Sequence, residues 1–253
     1  MWVNKWHQDG SWMKTRIGTR GEVWLLNFVA RAGSYVAERM LPLSVPMLMH
    51  QDAIQESFAH ARERMKGAYS FLDRYEGLSL SIEIAKQRFP SRKLILEFGV
   101  FKGDMINHQA KRFPELGFVG FDSFEGLRED WPGMLPKGAF NLAGRMPRAR
   151  PNVSFVKGFF DASFPQWIGQ QTAKEPPLLV HVDCDTYQST VDVLNLCSPY
   201  VSEGLIFHFD DYFGFLNWQS AGYKALSDIA EREGWKLEYI SYGAKEVAFQ
   251  ASK

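Results

Sequence analysis

The chain has 253 residues, 45% of them hydrophobic and 15% aromatic, enough for one large domain or one domain with an appendage. Twenty-nine basic residues offset twenty-nine acidic ones, so no overall field draws the chain to nucleic acid or to an anionic membrane. The two cysteines, Cys184 and Cys197, lack metal-ligand spacing and suggest no disulfide framework. The most apolar early run, VWLLNFVA at 23–30, is too short to span a bilayer and has no credible cleavage site, so a soluble, cytoplasmic protein is expected.

Residues 1–90 read as a helical extension: QDAIQESFAHARERMKGAYSFLDRYEGLSLSIEIAKQRF, at 51–89, sets charged and apolar positions at helical spacing. Trp2, Trp6, Trp12 and Trp24 come early. They point to packing on the main domain, to a second subunit in a homodimer, or to a lid over a cleft. From 91 to 253 strands alternate with helices. KLILEFG (93–99) is a continuous apolar run, as in a strand covered on both faces. A short helix pattern follows, then strands GFVGFD (117–122), NVSFVKG (152–158), PLLVHVD (177–183) and GLIFHFD (204–210), with a helix from 186 to about 197. A last helix sets Trp218, Ala221, Ala225 and Ile229 on one side, and WKLEYISYG and KEVAFQAS form a hairpin around Gly243. The pattern predicts an α/β fold with a doubly wound, mostly parallel sheet of seven strands and an antiparallel C-terminal hairpin strand.

Ligands of such sheets bind beyond the carboxyl ends of the strands. The first strand ends in EFGVFKGD (97–104), where Gly99 and Gly103 allow a tight turn and a close approach, and the next helix offers free N–H groups. A structural turn alone would also explain these glycines. The next strand ends in Asp122, suited to the ribose hydroxyls of an adenosine, and the glycines lack the G-x-G-x-x-G spacing expected for NAD.

Asp183 and Asp185 end the fourth strand; Asp210 and Asp211 end the fifth. Neighbouring strands lie roughly 4.8 Å apart, so four carboxylates would converge. Their repulsion must be offset by protons, by Arg or Lys, or by a divalent cation. Neither motif contains Lys or Arg, which favours a hard cation such as Mg²⁺. Helix capping by Asp185 or Thr186 accounts for one carboxylate only. His181 and His208 lie close by and could compete as bases, or be satisfied strand residues.

Taken in order, EFGVFKGD, FDSFEGL, VKGFF, HVDCDTYQSTVDVLN and FHFDDYFG resemble the macrocin O-methyltransferase family over roughly residues 90–230. The resemblance implies a class I, S-adenosylmethionine-dependent, metal-assisted enzyme that methylates sugar hydroxyls in natural-product biosynthesis. It implies Asp183, Asp210 and Asp211 as ligands of Mg²⁺ or another divalent cation, and Asp185 as the catalytic base. It further implies that Glu97, Gly99, Phe101, Gly103, Asp122, Ser123 and Gly158 form the S-adenosylmethionine pocket, and that the partner is a small-molecule hydroxyl acceptor, a sugar or glycoside. The stretch 128–152, with Arg128, Lys137, Arg145, Arg148 and Arg150, is expected to be a substrate lid favouring an anionic acceptor, or else a solvated loop. Of Phe207, Phe209, Phe213, Phe215 and Trp218, most should be core and one or two a platform for a sugar face. The rivals are a catechol-type O-methyltransferase, a non-catalytic S-adenosylmethionine-binding interaction module, and a metal-dependent hydrolase on a similar sheet.

Overall fold

A computed structural model describes residues 2–6, 12–16, 44–171 and 175–253; Trp24 and the run 23–30 lie outside them. The chain divides into two compact units, residues 1–49 and 50–253. In the first, β1 (Trp2–Trp6) and β2 (Trp12–Arg16) pair antiparallel with Trp6 opposite Trp12. Helix throughout 1–90 was expected, and the start of that range is strand instead. Tryptophan, valine and threonine favour strands, and Asp9-Gly10, a strong hairpin signal, falls between the two runs.

Helix α1 (Val45–Arg64) leads to a two-residue strand, β3 (Tyr69–Ser70), and to α2 (Arg74–Arg88). The rest follows as β4 (Leu94–Phe98), α3 (Asp104–Arg112), β5 (Gly117–Asp122), β6 (Val153–Lys157) and α4 (Phe160–Gly169). Then come β7 (Leu179–Val182), α5 (Tyr187–Cys197), β8 (Leu205–Phe209), α6 (Gly222–Glu233), β9 (Lys236–Tyr242) and β10 (Val247–Ser252). The sheet has eight strands in the order β3-β9-β10-β8-β7-β4-β5-β6, and only β10 runs against its neighbours. The doubly wound architecture is as expected, with one edge strand more. Strand order reverses between β4 and β7, so a crevice opens beyond their carboxyl ends.

Strand alternation divides the core. Leu96, Phe98, Val180, Val182, Phe207 and Phe209 face α4, α5 and α6. Ile95, Phe118, Leu179 and Ile206 face α2 and α3, meeting Leu78, Ile82, Met105 and Ile106. On this second face, Glu97, His181 and His208 stand opposite one another across β4, β7 and β8. Three buried polar side chains in register inside a core need partners, and two residues further on each strand reaches the crevice.

Candidate active site

The turn after β4 is built on Gly99 (φ 91°), where an added Cβ would collide with the Asp183 carbonyl oxygen. Asp122, at the end of β5, clasps the turn from the side. Its Oδ2 accepts the Val100 and Phe101 amides, both at 2.8 Å, and its Oδ1 accepts the Phe124 amide at 2.7 Å. A carboxylate offers about four acceptor sites, so a ligand hydroxyl can still be received. Phe101 itself has φ 48°, an uncommon value for a side chain of that bulk.

A cavity of about 660 Å³ opens here, the size of a small-molecule site. Gly99, Phe101, Asp122 and Ser123 line it together with Asp183, Asp185, Asp210 and Asp211. The other expected cofactor residues stand outside its lining. Gly103 caps α3 in the left-handed conformation, the Gly158 amide donates to the Asp122 carbonyl at 2.9 Å, and Glu97 is buried against His181.

The four aspartates do converge, in two groups that share one member. Asp183, Asp185 and Asp211 have carboxylate oxygens within 4.8 Å of one another, and so do the ligand atoms of His181, Asp183 and Asp210. Asp183, Asp210 and Asp211 were expected as one ligand set, but they fall across both groups. Burial first, then the charges of its aspartate neighbours, pushes the Asp183 carboxyl well above its ordinary range. Asp185 is raised likewise, by burial, by the Asp211 charge and by a hydrogen bond with Asp211; Asp210 is pushed up to about 6, chiefly by burial. Asp185 also holds φ 64°, an uncommon backbone value for a non-glycine residue and a kind of strain that clusters at functional sites.

Two cations that sequence reading missed partly offset this charge. Arg74, in the first turn of α2, places Nη2 3.1 Å from Asp210 and 3.4 Å from Asp183, and Lys245 Nζ is 3.4 Å from Asp211. The motifs themselves contain no basic residue, but the fold brings these two from 109 and 34 residues away. No local pattern announces contacts at that range. Even so, Asp210 Oδ1 is buried without a hydrogen-bond partner, and the Asp183–Asp185–Asp211 group remains closely packed. The carboxylate set therefore fits a divalent cation.

Both histidines are fully buried. His208 Nδ1 meets Ser81 Oγ at 2.9 Å, and burial holds the ring well below its ordinary pKa. His181 Nδ1 meets Glu97 Oε2 at 2.9 Å. Phe207, Phe209, Phe213, Phe215 and Trp218 are all core, and none lines the cavity; the sugar platform expected among them is absent. The aromatic walls come instead from Phe101, Trp131, Phe140 and Phe159. The 128–152 segment contributes Arg128, Trp131, Met134, Leu135 and Phe140 to the lining, whereas Lys137, Arg145, Arg148 and Arg150 stay outside it. Arg128 is occupied by Asp161 at 3.1 Å and lies over Phe159. That side of the cavity is more apolar than cationic.

Residues 96–212 match a family model described as a methyltransferase domain. Among solved structures, the O-methyltransferase NovP is 19% identical, with a TM-score of 0.54, covering 71% of this chain and 80% of its own. CalS11, a calicheamicin methyltransferase, is 16% identical, with a TM-score of 0.53, covering 93% of this chain and 94% of its own. No curated protein sequence matches the chain. Residues 96–212 thus resemble a methyltransferase domain, the sheet has the fold of the class I methyltransferases, and the expectation of a methyl-transferring enzyme stands.

Proposed function

We propose that the chain transfers a methyl group from S-adenosylmethionine to a hydroxyl of a sugar or glycosylated natural product. Asp183, Asp210 and Asp211 would hold a divalent cation such as Mg²⁺, and Asp185 would act as the base. The observation that carries this reading is the convergence of four carboxylates, from two adjacent strand ends, in the cavity also lined by Gly99, Phe101 and Asp122. The fold shared with the O-methyltransferase NovP supports transfer to oxygen, and that shared with CalS11, a calicheamicin methyltransferase, supports a natural-product acceptor.

S-adenosylmethionine supplies an electrophilic methyl sulfonium when bound, so the chain's own task is to position an acceptor oxygen and take its proton. A divalent cation held by these carboxylates would favour ionisation of a hydroxyl beside it. Asp185 lines the cavity two residues beyond Asp183, which places a carboxylate beside the proposed ligands to take the hydroxyl proton. Trp131, Met134 and Phe159 offer an apolar wall on which a sugar face or aglycone can lie.

The test is to incubate the protein with S-adenosylmethionine, Mg²⁺ and panels of glycosides and catechols, following S-adenosylhomocysteine release and product mass. Glycosides should be methylated. Asp185→Asn should lower turnover by a factor of about 10² or more, while calorimetric binding of S-adenosylhomocysteine is retained. Turnover of catechols alone would move the assignment to that acceptor. Failure to bind S-adenosylhomocysteine would end it.

A further inference from the structure

We infer that His181 is a nitrogen ligand of the cation site, oriented by Glu97, and that the site prefers a first-row transition ion to Mg²⁺. This rests on the metal-assisted reading above and specifies it. β7 and β8 are parallel neighbours, and each carries the same short pattern as it reaches the crevice: His-Val-Asp at 181–183 and His-Phe-Asp at 208–210. The two-residue period of a strand turns His181 and Asp183 to one face, with Asp210 beside them.

The imidazole is completely buried, and Glu97 Oε2, 2.9 Å from Nδ1, fixes the orientation of the ring. Its Nε2 has no hydrogen-bond partner. The atom it faces, Asp210 Oδ1, is also buried and also without one, at 4.0 Å. Two such groups would close to about 2.7–3.2 Å if their purpose were to bond each other. An ion bonded to both at about 2.0–2.2 Å can bridge atoms now 4.0 Å apart if they close by a few tenths of an ångström. A ligand oxygen of Asp183 completes the group within 4.8 Å.

A carboxylate behind a ligating histidine, as Glu97 stands behind His181, is the usual device for fixing the tautomer and raising ligand basicity. His208 occupies the same place in the pattern and its Nε2 is likewise unpartnered, but its Nδ1 meets Ser81 rather than a carboxylate and it belongs to no candidate group. On this reading His181 takes the place of Asp211 among the ligands named above, and Asp185 and Asp211 lie in the adjoining carboxylate group that shares Asp183. An imidazole in the set shifts preference away from Mg²⁺, which favours oxygen ligands and keeps its waters.

The experiment is pulsed electron paramagnetic resonance on the whole protein loaded with Mn²⁺ and no substrate. The expected result is a ¹⁴N echo modulation that His181→Asn abolishes and that becomes a ¹⁵N signal in wild type labelled with 15N-histidine. Among the described residues no other histidine joins a candidate cation group, so the labelled wild type decides the matter even if the variant does not fold. Saturable Mn²⁺ binding with oxygen ligands only, or a modulation that survives in His181→Asn, overturns the role of His181 and leaves the cation reading standing. Absence of saturable Mn²⁺ binding removes the cation reading itself, and His181 with it.

Discussion

Gly99 serves two structural requirements at one position: a positive φ, and the absence of a Cβ where the Asp183 carbonyl passes. Gly138 shares the first requirement, with φ 83°, but has nothing within 4 Å of an added Cβ. Gly138→Ala should therefore lose only the left-handed strain, about 1–2 kcal/mol. Gly99→Ala should lose clearly more, and equal urea midpoints for the two would refute the contact. Arg74 allows a second comparison. It is the counter-ion of Asp183 and Asp210 in the absence of a cation, and its side chain is 43% exposed. Two such pairs are together worth roughly 0.5–2 kcal/mol. Arg74→Gln should tighten Mn²⁺ by a corresponding factor in calorimetric titration, and unchanged or weaker binding would show that Arg74 does not compete. The aspartates themselves were legible in the sequence, because paired charges at the ends of apolar runs demand an explanation. Arg74 and Lys245 were not, since only the folded chain brings them near.

At the scale of elements, α2 does more than cover the sheet. Asp73 caps it, accepting the Glu76 amide at 3.0 Å, which fixes the first turn where Arg74 sits. Seven residues after Arg74, Ser81 reaches His208 in the core. Asp73→Ala should lower stability by about 1 kcal/mol. Ser81→Ala leaves a buried imidazole nitrogen without its partner and should lower it by about 1–3 kcal/mol in urea unfolding. Of the five parallel strands β4 to β8, all but the edge strand β6 were readable as nearly unbroken apolar runs, the mark of burial on both faces. Two other elements were not. β3 has two residues, too few to carry a period, and α4 contains Pro165 and ends at Gly169, both of which read as breakers. The in-register Glu97–His181–His208 row was hidden for another reason: sequence gives the alternation along a strand but not which strands lie side by side.

For the molecule as a whole, a cation that binds only the folded sheet must stabilise it by mass action. At 100 times its dissociation constant the gain is about 2.7 kcal/mol. In a protein of this size that is roughly 5–10 °C in Tm. Mn²⁺ should produce such a shift in the wild type and not in Asp183→Asn, a result independent of any acceptor. Among the described residues no helix is long and apolar enough to cross a membrane.

Because main chain meets main chain where the glycine turn crosses the Asp183 carbonyl, the separation between the ends of β4 and β7 is set by backbone rather than by adjustable side chains. New acceptors can be accommodated by rebuilding the outer walls. Re-gauging the gap between those two strand ends would require moving two whole strands together.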